Sequence, residues 1–370
     1  MDGRLPTGVD RVGLAYVQHY GHHACAVVRW AGRLWVLPRA QSAALFAWLA
    51  YPVAPRGAVW IIARGIMASG WSQDVAGSIF LNTGHTGLHE DAYVVMLRKL
   101  GVLPVFVVHD LIPITHPEYC RADEDEKHKR RMQHVLALGH GVVVNSQATL
   151  DDLCQFASQS KLPVPPAVVG LLAPGMIKTQ AGVRPMVAPY FVILGTIEPR
   201  KNHVMLLQVW RHLVEKLGDR APRLLVIGQR GWECENVVDL LERCAALKGF
   251  VTELASCSDE ELVTYLHHAQ ALLFPSFVEG YGMPLVEALA HGVPVIASDL
   301  AVFREIAEDI PEYVDPLDGK RWGEMVMEYA EPDTVRRTAQ LQRMTQFNTP
   351  DWSHHFAKVD ELLEELDVKW

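Results

Sequence analysis

The sequence predicts an α/β protein of two doubly wound, Rossmann-like domains facing each other across a cleft. Three observations carry this. Short Val/Ile-rich runs recur between segments of helical period; the runs are apolar throughout rather than alternating; and the pattern breaks once, between Ala173 and Pro189, before a fresh strand begins at Tyr190. Continuous apolar strands separated by helices mean parallel sheets covered on both faces. The break, rich in Pro and Gly (Pro174, Gly175, Gly182, Pro185, Pro189), reads as a linker. The expected division is a first domain over residues 1–175, a linker over 176–189, a second domain over 190–350 and a C-terminal helix over 351–370.

Taken in order, Ala24–Trp30 and Leu34–Leu37 flank Ala31-Gly32-Arg33 and read as a hairpin. The apolar run from Ala43 to Ala54 is interrupted by Pro52 and falls short of the roughly 20 residues that span a bilayer, so it is expected to be a core helix. Strands are expected at Pro104–Val108, Gly141–Val144, Tyr190–Leu194, Arg223–Ile227, Ala269–Phe274 and Gly292–Ile296. Ser146 opens one helix, and Ser258 with Glu261 forms a capping box for another. One strand is lacking. A doubly wound domain delivers its first loop from the carboxyl end of a strand, yet the residues before Gly8 hold no apolar run, so the native sheet is expected to begin upstream of Met1.

Composition excludes several classes. Of 370 residues, 34 are Lys or Arg and 43 Asp or Glu, a net charge of -9, which argues against a nucleic-acid partner. Six cysteines without a C-x-x-C pair suit buried thiols in a reducing compartment, and MDGRLPTGVDR is too polar for a signal peptide, so a cytoplasmic protein is expected.

Two constellations carry chemistry. The first, Glu279-Gly280-Tyr281-Gly282-Met283-Pro284-Leu285-Val286-Glu287, follows a strand and a Pro275-Ser276 turn. Its glycines let backbone N–H groups approach a ligand, a helix start at Met283 favours phosphate, and Glu287, a turn further on, is placed to accept from a diol such as ribose. The second, Gly195-Thr196-Ile197-Glu198-Pro199-Arg200-Lys201-Asn202, sets two cations at a strand end, where they suit a leaving diphosphate. Asp123-Glu124-Asp125 has a metal-binding spacing but begins a densely charged stretch, so a solvated helix face is expected. His85 and His89 lie four apart, but Thr86-Gly87 between them breaks any helix that would align them on a metal.

The segment from Ser276 to Asp299, extended upstream through Ser258–Leu262 and downstream to Arg304-Glu305, closely resembles the signature of retaining glycosyltransferase family four, enzymes of the GT-B fold. The Glu198–Asn202 form of the second loop is similar to bacterial polysaccharide and lipopolysaccharide mannosyltransferases. The resemblance implies a hexose transferred with retention from a nucleotide-diphosphate sugar, GDP-mannose being favoured, to a glycan or lipid-linked acceptor, with no obligatory metal or other cofactor. At most a weak peripheral association with the inner face of the plasma membrane is expected. By the same resemblance Arg200 and Lys201 meet the diphosphate, Glu287 the ribose, and Glu279 and His109, at the end of the strand Pro104–Val108, the sugar. The backbone of Gly280, Tyr281, Gly282, Met283, Pro284 and Leu285 meets sugar hydroxyls and phosphate; Thr252 lies near the base, and Gly8 opens the family's N-terminal glycine loop. The family's Arg directly after the glycine is replaced here by Thr196, which leaves open whether Arg200 takes its place. A non-catalytic GT-B subunit and another GT-B enzyme, such as a sugar-nucleotide epimerase, are the alternatives.

Overall fold

A computed structural model of the chain describes residues 8–50, 57–69, 75–175, 181–331 and 333–366. The chain opens with helix Gly8–Tyr20 and an antiparallel hairpin of β1 (Val27–Trp30) and β2 (Arg33–Val36), turned by Ala31 and Gly32 with φ of 48° and 72°. A parallel sheet follows, built from β3 (Ile79–Asn82), β4 (Leu103–Val108), β5 (Gly141–Val144) and β6 (Ala167–Val169) in that spatial order. The second sheet holds β7 (Tyr190–Leu194), β8 (Arg223–Ile227), β9 (Val251–Leu254), β10 (Leu272–Phe274), β11 (Val295–Ser298) and β12 (Glu312–Val314), all parallel, in the order β12-β11-β10-β7-β8-β9. The chain leaves β7 towards β8 and β9, then crosses to β10 on the other side. The carboxyl ends of β7 and β10 therefore flank the topological switch point, where open α/β sheets bind ligands.

Both sheets are covered on both faces, as their unbroken apolar strands require. Helices His203–Leu217 and Gly319–Ala330 bury Trp210 and Trp322 against Phe191 on the second sheet. On the first sheet, helices Glu124–Leu138 and Gln147–Ser160 cover one face with Met132, Val135 and Leu153. The opposite face receives Val12 and Tyr16 from the first helix and Phe356, Val359, Leu362 and Leu363 from helix Trp352–Glu365. Each such side chain removed from water contributes about 1.5–3 kcal/mol. Polar contacts fix the helix in the same place. His355 donates through Nδ1 to the Gly170 carbonyl at 3.0 Å and accepts from the Tyr16 hydroxyl at 2.9 Å, while the Tyr20 hydroxyl donates to Asp360 at 2.6 Å. Among the described residues no helix is long and apolar enough to cross a membrane.

Several local expectations need correction. The helix expected over Ala43–Ala54 runs from Arg39 to Ala50 and buries only Ser42 and Leu45, because it pairs with helix Gly57–Ala68 in a peripheral cluster rather than entering a sheet-packed core. Strand β10 starts at Leu272, later than Ala269. Strand β11 spans Val295–Ser298 instead of Gly292–Ile296, because Gly292, at φ 73°, ends the preceding helix by donating to the Leu289 carbonyl. The six cysteines are all free, but Cys234 alone is buried and Cys154 is exposed. Both expected caps form: Ser146 accepts from the Thr149 amide, and Ser258 and Glu261 complete their box. The outer edge of β3 borders a cavity of about 680 Å³ lined in part by Ile79, Leu81, Tyr16 and Tyr20. Residues 1–7, which the expectation of a missing first strand concerns, lie outside the described residues.

Candidate active site

The loops leaving β7 and β10 meet because the two strands are neighbours, with Leu272 paired to Val192. After β7 the chain turns through Gly195 and a short 3-10 turn, Pro199–Lys201, which aims both cations at the neighbouring loop. Glu279 receives them. One carboxylate oxygen meets Arg200 at 2.6 Å; the other meets Lys201 at 2.5 Å and the Ser276 hydroxyl at 2.8 Å. Arg200 also pairs with Glu198 at 2.6 Å, and the Lys201 ammonium stands over the Phe274 ring at 4.8 Å. Glu198 and Lys201 are buried, so the four charges form a neutral cluster with little water.

Burial and pairing compete in this cluster. Burial works against an ionised Glu279, but Arg200, Lys201 and the Ser276 hydroxyl outweigh it and hold the carboxyl at about 2. Burial also pushes Lys201 below the usual lysine range, with Glu279 opposing it, and raises Glu198 against the pull of Arg200. Desolvation disfavours the Arg200 charge too, yet Glu279 and Glu198 raise its pKa further and it stays cationic.

The first domain closes directly over this loop. The Gly280 carbonyl accepts from the Ser146 hydroxyl at 3.0 Å and from Thr149 at 3.2 Å, both at the amino end of a first-domain helix. A Cβ at Gly280 would lie 2.5 Å from the His109 carbonyl and 2.6 Å from Asp110 Cβ, so only glycine permits this approach. Next to it, Gly282 takes φ 115° and turns the chain into helix Met283–Ala290, with Pro284 in the first turn. The Tyr281 hydroxyl donates to the Leu172 carbonyl at 2.6 Å, and Glu305 caps the same first-domain helix by accepting from the Gln147 amide at 2.6 Å. Gly280→Ala is accordingly expected to hold the domains apart at an overpacking cost of about 1–3 kcal/mol. Small-angle scattering should show a wider particle with unchanged helix content; an unaltered profile would count against this contact as the determinant of closure.

Residues 178–311 match the model of the family described as Glycosyl transferases group 1. The matched region holds both loops of the charged cluster. Curated relatives include the serotype-specific mannosyltransferase WbdA of Escherichia coli, 29% identical over 239 residues that cover 58% of this chain and 28% of WbdA. Another is the O-antigen chain mannosyltransferase B of Escherichia coli, 32% identical over 165 residues that cover 45% of this chain and 43% of the relative. The chain thus spans less than half the length of these relatives. Among solved structures, HepE of Anabaena, in complex with UDP and glucose, superposes with a TM-score of 0.69 over 98% of this chain and 97% of HepE at 15% identity. That likeness is one of fold, and the fold is GT-B.

Within the matched region, Arg200, Lys201, Glu279 and Gly280 converge, and His109 adjoins them from the first domain. His109 is buried, with Nε2 donating to the Thr83 carbonyl at 2.8 Å. Tyr281 and Leu285 turn their side chains into the core, and Met283 is half-buried, which leaves the backbone of this stretch as its polar surface. Glu287 is buried one turn inside its helix and accepts from the Gly175 amide at 3.2 Å. Thr196 is exposed beside Gly231; Gly8 is the exposed first residue of its helix; Thr252 lies within edge strand β9, apart from the charged cluster. Asp123 precedes helix Glu124–Leu138, where Asp125 pairs with Lys129 and Glu124 with Arg131 as in an ordinary solvated face. Sequence reasoning gave no role to Glu198, Ser276, Arg11 or Glu305. Glu198 and Ser276 had a local signal, since both lie inside the motifs; Arg11 did not, because its partners are far along the chain.

Proposed function

We propose that the protein is a retaining, metal-independent hexosyltransferase that moves mannose from GDP-mannose to a glycan or glycolipid acceptor in bacterial polysaccharide synthesis. The observation that carries this reading is the pair of cations beside Glu279 at the switch point, Lys201 buried and Arg200 half-buried, closed over by the first domain. The names of the curated mannosyltransferase relatives support the choice of sugar.

In this reading the donor diphosphate takes over Arg200 and Lys201, which are already neutralised in the free protein by Glu279 and Glu198. Glu287 accepts from the ribose hydroxyls, and Glu279 and His109 position the sugar. The acceptor oxygen forms a bond to the anomeric carbon from the face on which the phosphate leaves; the bond to phosphate breaks with its electron pair going to the nucleoside diphosphate. The acceptor proton passes to that departing oxygen. Negative charge grows on the leaving group as the bond breaks, so two fixed cations in a dry cleft stabilise the transition state more than the ground state. Their presence supplies the role a metal would otherwise play.

The test is transfer from GDP-mannose to an oligomannose acceptor in excess EDTA, with UDP-glucose as a second donor. Turnover with an α-linked product from the α-linked donor is the expected result. Loss of activity on chelation, restored by magnesium or manganese, would overturn metal independence; a β-linked product would overturn retention. Nucleotide binding without transfer or donor hydrolysis would place the chain among non-catalytic subunits.

A further inference from the structure

Arg11 joins the two domains at the carboxylate assigned to ribose. It sits in the first turn of helix Gly8–Tyr20, a first-domain element, and its side chain is only 25% exposed. One terminal nitrogen donates to the Gly175 carbonyl at 2.6 Å and the other to Asp259 at 2.8 Å, at the start of second-domain helix Asp259–His267. Gly175 in turn donates its amide to Glu287 at 3.2 Å. A Cβ placed on Gly175 would lie 2.7 Å from Arg11 Cδ and 3.2 Å from the Glu287 oxygen, so one backbone unit is held between the guanidinium and the carboxylate. Burial alone would weaken the Arg11 charge, but Asp259 and Glu287 more than offset it.

We propose that Arg11 is a positioning residue of the donor site: it fixes Gly175 by its carbonyl, and the Gly175 amide then holds Glu287 in the orientation that receives ribose. The inference rests on the donor reading above. It adds that the ribose subsite is complete only when the first domain's opening helix reaches the second domain, which couples nucleotide affinity to closure. A guanidinium suits this task because its planar fork serves Gly175 and Asp259 at once, which a lysine ammonium on a flexible stem does less well.

The experiment is calorimetric titration of wild type, Arg11→Ala, Glu287→Ala and the double variant with GDP and, separately, with inorganic pyrophosphate. Arg11→Ala is expected to weaken GDP about tenfold while leaving pyrophosphate, which addresses Arg200 and Lys201, unchanged. Because Arg11 acts through Glu287, the double variant should bind GDP no more weakly than Glu287→Ala alone, a non-additivity that independent sites do not show. Equal weakening of GDP and pyrophosphate, or additive losses in the double variant, would overturn the positioning role and leave Arg11 as a general domain contact. Wild type that binds no member of a GDP, UDP, ADP and dTDP panel would overturn the donor reading and this inference with it, an outcome visible before any variant is compared. If Arg11→Ala fails to fold, Arg11→Lys carries the same comparison: a smaller loss for GDP, none for pyrophosphate, and no further loss on Glu287→Ala.

Discussion

Alanine at Lys201 is expected to lower sugar transfer by roughly ten- to a hundredfold while the protein stays folded. A charge-assisted contact of this kind is worth about 1.5–3 kcal/mol, and the loss falls on the rate if the contact strengthens as the diphosphate departs. The structure gives a reason to expect the upper part of that range. Lys201 is buried against Glu279 and the Phe274 ring, so little solvent reaches the ammonium's place, and Arg200 is already shared between Glu198 and Glu279. Stability should fall less than when a lone buried pair is broken, since Glu279 keeps Arg200 and the Ser276 hydroxyl. The measurement is kcat/KM with helix content monitored by circular dichroism; near-wild-type turnover would remove Lys201 from the reaction.

The second large effect concerns Glu279 and acid. Its carboxyl is held at about 2 against an ordinary value of 4.5. A carboxyl depressed on folding stabilises the native state above its unfolded pKa, and that stability is lost as pH falls through the folded value. The window is therefore from about 4.5 down to about 2, and the difference corresponds to about 3 kcal/mol at neutral pH. Glu279→Gln should remove this contribution at pH 7 and leave Arg200 and Lys201 facing each other without their shared anion. Denaturant midpoints across pH 2 to 7 test it: the wild-type curve should fall with acid over the window cited, and the variant's should be lower at neutrality and flatter. Parallel curves for the two proteins would mean that another carboxylate carries the acid sensitivity.

Strands β4, β5, β7 and β8 were legible because each is a run of buried, mostly apolar residues bounded by turn signals. The strands that escaped, β3, β6, β9 and β12, are the outermost strands of the two sheets, three or four residues long and only partly buried, with too few positions to display a period. At the site, both loops were recognisable as local motifs. Their meeting was not, since it depends on β7 and β10 being neighbours although residues 195–271 separate them in the chain. Glu287 illustrates the same limit: its place on a helix was readable from Gly282 and Pro284, but its contact with Gly175 and the guanidinium beyond is set by domain approach, which no local spacing encodes.

Helix Trp352–Glu365 has a consequence for the order in which the molecule can be built. It lies last among the described elements, yet Val359, Leu362 and Leu363 cover the first sheet, and His355 ties down the Gly170 carbonyl. The second sheet is contiguous, its last strand ending at Val314. On a ribosome, domains ordinarily mature in the sequence in which they are made. Here the first domain to be translated has only its opening helix on that apolar face through the whole synthesis of the second, and the rest of the face is covered only after its younger partner has been made.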